Sequence, residues 1–159
     1  MKFVYLRFFL TPKAQKFSKK FPFDPQIYQK CNDMVQIDKD IPRTMLPPGL
    51  TDPQKEEFMA ALRAILTAYC NFNKSVGYVQ GMNILVSALL YTICEDWNRI
   101  GEAREPALLL LFNLMEGYQL SDLFQKQMLR VLKLLKELEV RIEKDLPKLF
   151  AHINNTEVV

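Results

Sequence analysis

Prolines and glycines cut this chain into segments whose apolar residues recur every three or four positions, and no other feature narrows the fold so far. Phe58, Met59, Leu62, Ile65, Leu66, Tyr69 and Cys70 share one face of a helix, with Lys55, Glu56, Glu57 and Arg63 mostly off it. Asp52 and Pro53 supply its cap and first turn, after a Pro/Gly-rich connector from Met45 to Gln54. Upstream, Asp24 and Pro25 start a short helix carrying Ile27, Tyr28, Cys31, Met34 and Val35, which runs toward Ile37 and stops at Pro42. Downstream, Asn71 to Lys74 break the pattern before a central helix that closes near Glu95. Pro106 opens the run Ala107 to Met115, with Gly117 as a left-handed cap. Ser121 caps a last long element striped by Leu123, Phe124, Met128, Val131, Leu132, Leu135, Leu138 and Ile142, ending at Pro147. No segment alternates with period two between hairpin turns. The expected fold is all-α, an orthogonal or irregular helical bundle.

Composition excludes several functions. With 159 residues, 49% hydrophobic and 25% charged, the chain reads as one soluble domain. A net charge of +3 is too small and too scattered to argue for nucleic acid. The basic cluster Lys13, Lys16, Lys19 and Lys20 reads as a solvated N-terminal arm. Three widely spaced cysteines and a single histidine offer no zinc spacing and no Ser/His or Cys/His nucleophile. Cys70 and Cys94 read as small buried thiols. Arg7 interrupts the apolar N-terminus, so secretion is not expected. Ser75 to Cys94 carries no formal charge, but only Ile84 to Ile93 is densely apolar, which is core length and not membrane length. Phosphate-cradling, nucleophile-elbow, zinc-protease and calcium-loop motifs are absent. Carboxylate pairs such as Asp38 with Asp40 and Glu56 with Glu57 read as solvated helix charges.

Two short segments resist that reading. "IDKDIPRT", Ile37 to Thr44, sets Asp40 three residues before Arg43 with Pro42 between them, a spacing suited to a local ion pair that orients the guanidinium. "GYVQGMN", Gly77 to Asn83, places two amides just before the most apolar run, although each buried amide without a partner costs roughly 1–3 kcal/mol. Gly77 and Gly81 are four apart, as if sharing a face that another backbone could approach, and Gln80 and Asn83 are three apart, as if projecting together at a helix start. On the residues alone, a surface ion pair and locally satisfied amides remain open as the alternative.

Ile37-x-x-Asp40-x-x-Arg43-Thr44, followed by Asn73-x-x-Val76-Gly77-Tyr78-x-Gln80-Gly81-Met82-Asn83, resembles the two signature motifs of the TBC-domain family, activators of Rab small GTPases. The resemblance runs from about Ile27 to the C-terminus, leaving residues 1–23 as an arm outside a partial Rab-GAP TBC domain at 24–159. It implies that Arg43 is an arginine finger and Gln80 a glutamine finger, inserted in trans into a GTP-bound Rab. Asp40, Thr44, Gly77, Tyr78, Gly81 and Asn83 would support them. It implies no metal or cofactor of the chain's own, since GTP and Mg²⁺ come with the partner. Membrane contact would be indirect, through the prenylated Rab, and the setting cytoplasmic or peripheral to endomembranes, in vesicle trafficking.

Lys74 and Val79 stand where the family commonly has Pro and Cys, and neither position supplies a finger. Past "DLPKLFAHINN", the tryptophan- and phenylalanine-containing segments of the family's C-terminal lobe do not follow before Val159, so Leu132, Leu135 and Leu138 are expected to be exposed. A non-catalytic module that binds a Rab or another partner, and a helical scaffold, are the competing functional readings.

Overall fold

The computed structural model describes residues 31–125 and 128–155, together with Pro12. The Asp24–Pro25 helix start and the basic cluster lie outside the described residues. Six α-helices are present among them, with no strand: α1 (Met34–Asp40), α2 (Asp52–Phe72), α3 (Met82–Ile93), α4 (Ile100–Phe112), α5 (Leu129–Asp145) and α6 (Pro147–Asn155). Short 3₁₀ turns cover Ile41–Arg43, Trp97–Arg99 and Leu120–Phe124, and a π turn covers Asn113–Gly117. The all-α expectation holds.

Two compact units divide the chain, Met1–Ser121 and Asp122–Val159. In the first, α2 is the central element, packed against α3 and α4, which also pack on each other. Its apolar face is the one read from the sequence: Phe58, Leu62, Ile65, Leu66, Tyr69 and Cys70 are buried, and Met59 is half-buried. Trp97 packs its ring against Phe58 and Tyr91, with centroids 6.2 and 5.9 Å away. In the second unit α5 and α6 pack together. Leu132, Leu135 and Leu138 stay exposed, as anticipated.

Several boundaries differ from expectation for local reasons. The cap of α2 is Thr51, with Asp52 and Pro53 in its first turn; Gln54 reaches back so that its Oε1 accepts the Thr51 N–H at 3.0 Å. Pro106 lies inside α4 and does not open it, and Gly117 is not left-handed; Gln119, with φ of 59°, takes that conformation instead. Ser121 belongs to a 3₁₀ turn, and α5 begins only after Met128. By contrast, α1 stops at Asp40, as expected, two residues before Pro42. Pro42 sits in the first turn of the 3₁₀ element that continues α1, where its missing N–H breaks no helical hydrogen bond.

Candidate functional site

The site is built where the end of α1 meets the loop entering α3. Ile37 and Asp40, three apart on α1, are both fully buried. Apolar burial accounts for Ile37. Asp40 is held there by donors: Gln36 Nε2 at 3.1 Å and Arg43 Nη2 on Oδ1, and the Tyr78 hydroxyl on Oδ2 at 2.6 Å. Burial pushes the Asp40 carboxyl up, but the bonds from Tyr78, Gln36 and Arg43, with the guanidinium charge, outweigh it and leave the pKa below the ordinary carboxylate value. Asp40 is therefore not a solvated helix charge. Asp38, two residues earlier, is half-exposed and pairs with Arg63 on α2 at 2.7 Å.

The phenol of Tyr78 is buried, and that burial, with the hydrogen bond to Asp40, raises its pKa and keeps it a donor. Asn83 Oδ1 lies 3.2 Å from the same hydroxyl and accepts the Gly81 N–H at 3.1 Å. Asn83 Nδ2 then donates to Thr44 Oγ1 at 2.7 Å, and the Thr44 hydroxyl donates to the Asp40 carbonyl at 2.8 Å. Asp40, Thr44, Tyr78 and Asn83 thus form one buried network between segments about 40 positions apart in the sequence. No side chain in this network is left without a partner.

Arg43 and Gln80 behave differently from their neighbours. The Arg43 side chain is 57% exposed although one end is tied to the buried carboxylate, and Gln80 is exposed two residues beyond buried Tyr78. The two amides of "GYVQGMN" therefore part company. Asn83 points inward in the first turn of α3, whereas Gln80 sits in the preceding turn, so they do not project together.

The glycines also differ from expectation, because residues 77–81 are not helical and the two share no helix face. Gly77 is buried with φ of +66°, and a Cβ there would run into the Asp33 carboxylate. It is required by the fold itself and not by a partner's approach. Gly81 takes φ of +102° at the cap of α3, and nothing lies within 4 Å of where a Cβ would stand, so its backbone conformation alone favours glycine.

Sequence reasoning missed four supporting residues. Asp33 precedes α1, but its side chain does not cap that helix; it crosses to accept the Tyr78 N–H at 2.8 Å. Gln36 was hidden as an ordinary polar helix residue. In the sequence Asn73 stands out only as a motif residue, yet its Oδ1 accepts the Ser75 hydroxyl at 2.6 Å and the Val76 N–H at 3.2 Å, and its carbonyl accepts the Gly77 N–H at 2.8 Å. Its Nδ2 is fixed by Glu116 at 2.7 Å, which also accepts from the Tyr69 hydroxyl at 2.9 Å. Helical spacing placed Tyr69 in the core; its polar tip had no visible signal. Among the described residues, no group of three or more His, Cys, Asp or Glu is placed to hold a metal.

Comparisons with known proteins agree with the family resemblance. The chain is 32% identical over 81% of its length to the Rab GTPase-activating protein eat-17 of Caenorhabditis elegans, and 31% identical over 80% to the GTPase-activating protein GYP5 of Eremothecium gossypii. It is 28% identical over 79% to the human ecotropic viral integration site 5 protein homolog. It spans only 13%, 15% and 14% of the lengths of these three relatives, respectively. No solved structure matches it significantly. The Rab-GTPase-TBC domain profile matches residues 9–159, so the match reaches upstream of residue 24. On this coverage, the chain belongs to the Rab-GTPase-TBC domain family.

Proposed function

We propose that this domain activates GTP hydrolysis by a Rab-family GTPase, with Arg43 and Gln80 acting in trans on the partner's nucleotide. The reading rests on one observation: a closed, buried hydrogen-bond network ties the segment bearing Arg43 to the segment bearing Gln80, while both of those side chains remain exposed. The polar groups that join the two segments, Asp40, Thr44, Tyr78 and Asn83, are buried and paired. Arg43 and Gln80 are positioned by buried neighbours and left open to a partner.

GTP hydrolysis needs stabilisation of charge spreading over the phosphoryl oxygens and an aligned attacking water. Arg43 supplies the planar, permanently charged fork for the first. Gln80, an amide that both donates and accepts, suits the second. Asp40 orients Arg43 without being consumed, and Tyr78, Asn83 and Thr44 hold the loop that carries Gln80. GTP and Mg²⁺ belong to the partner, and membrane contact comes through the partner's prenyl group. In a cell this would shorten the active lifetime of a trafficking GTPase. Relatives named as Rab GTPase-activating proteins support the partner class.

Single-turnover hydrolysis across a panel of GTP-loaded Rab proteins tests the proposal. Wild type should accelerate at least one of them. Arg43→Ala should lose about 10³- to 10⁵-fold, the usual range for an arginine finger, and Arg43→Lys should not rescue. Gln80→Ala should also slow hydrolysis without abolishing binding. Three indistinguishable rates would sink the catalytic reading, and retained GTP-dependent binding would then favour a non-catalytic module.

A further inference from the structure

Beside the network lies a groove that the fingers do not use. It runs between the connector Met45, Leu46, Pro47 and Pro48 and the outer face of α3 at Ile84, Ala88 and Tyr91, with a volume of about 270 Å³. Three of its apolar side chains are far more exposed than core residues: Met45 at 87%, Ile84 at 66% and Tyr91 at 54%. No lining residue carries a formal charge. Of its three hydroxyls, those of Thr44 and Ser87 are already engaged, which leaves the Tyr91 phenol as its one further polar side-chain group. Thr44 Oγ1 donates to the Asp40 carbonyl and accepts from Asn83, and Ser87 Oγ donates to the Met45 carbonyl at 3.0 Å. To a ligand, therefore, the groove is almost wholly apolar.

We infer that this groove is a docking site for an exposed apolar side chain of the same GTPase, and that it contributes affinity and partner choice, not catalysis. The inference rests on the proposed function and extends it. Two observations select the occupant. The groove is continuous with the candidate site, because Thr44 lines it while standing next to Arg43 and within the buried network. Its volume, about 270 Å³, lies at the lower edge of the roughly 300–1,000 Å³ of small-molecule pockets and suits a single side chain on a protein surface. Contacts of this kind are made equally in the ground and transition states, so losing them raises KM and leaves kcat alone.

The test measures binding of the full chain to a panel of Rab proteins loaded with a non-hydrolysable GTP analogue, a ground-state mimic, followed by single-turnover hydrolysis of GTP at saturation. The probes are Ile84→Glu and Ala88→Arg. Both positions are exposed on α3, and an acid in the first turn suits the helix dipole, so folding is preserved. Each should weaken complex formation by roughly tenfold or more, as expected for a buried anchor pocket, while the saturated rate stays near that of wild type. Arg43→Ala should show the reverse pattern. Unchanged affinity in both groove variants, with a finger-dependent rate intact, would overturn the docking inference alone. Failure of wild type to bind any panel member would overturn the GTPase reading and the docking site with it. Dimerisation of the chain that Ile84→Glu abolishes, with GTPase affinity unaltered, would assign the groove to a second copy and also overturn the inference.

Discussion

Tyr78→Phe isolates the central bond of the buried network. The substitution keeps the ring and its packing but removes the proton donated to Asp40 Oδ2 at 2.6 Å. Asp40 is fully buried, so water cannot replace that donor without opening the site. Oδ1 keeps Gln36 and Arg43, and the carboxylate is not left bare. The loss is one hydrogen bond to a charged acceptor, about 1.5–3 kcal/mol. A solvated surface pair would predict only about 0–1 kcal/mol. Urea unfolding followed by fluorescence of Trp97, the single tryptophan, reads the relevant unit directly. The pH dependence gives a second check. In the fold, burial raises the Asp40 pKa, and donors led by Tyr78 lower it further than burial raises it, for a net depression. A depressed carboxylate contributes stability that is complete above its unfolded value of about 3.9 and is lost as pH falls through the folded value. Removing Tyr78's donor moves the folded pKa upward, so the variant's deficit should be full near pH 7 and shrink as pH drops below about 4. A deficit under about 0.5 kcal/mol, or one that does not change between pH 7 and pH 3, would refute the assignment of Tyr78 as a buried donor to an ionised Asp40.

Three further outcomes follow from the same geometry. Asn83→Ala leaves the Gly81 N–H and the Thr44 hydroxyl short of a partner and should cost about 1–3 kcal/mol, with faster amide hydrogen exchange at Gly81 as the local readout. Gly77→Ala should destabilise by about 1–3 kcal/mol in the same urea assay, because φ of +66° and the facing Asp33 carboxylate both oppose a Cβ. Leu135→Glu, on an exposed position of α5, should change stability by no more than about 0.5 kcal/mol in thermal unfolding, since nothing covers more than half of that side chain.

The helices are legible in the sequence because a helix is a local object. Its period is written in residues such as Phe58, Leu62, Ile65 and Tyr69, and burial of that face follows from apolar area alone. Helix ends are less legible. Thr51 and Asp52 both suit a cap, and the choice between them depends on which backbone the Gln54 side chain can reach. The two motifs are legible as residue patterns, and the importance of Asp40, Arg43, Tyr78 and Gln80 could be argued from them. The direction each one faces could not. Asp40 and Asp38 are two residues apart, yet one is sealed among donors and the other pairs with Arg63 at the surface. Gln80 and Asn83 are both amides in one short loop, yet one is exposed and the other buried.

From order and chemistry alone, the chain dictates an all-α architecture, the apolar face of α2 and the presence of a carboxylate, a guanidinium and two amides in paired motifs. Tertiary structure alone decided that Asp33 serves Tyr78 instead of its own helix, that Asn73 is anchored by Glu116, and that Gly77 is a steric necessity. The reason is the range of the forces. Periodic burial is set by neighbours three and four residues away, whereas satisfying a buried polar atom depends on whichever distant segment the packing brings within about 3 Å.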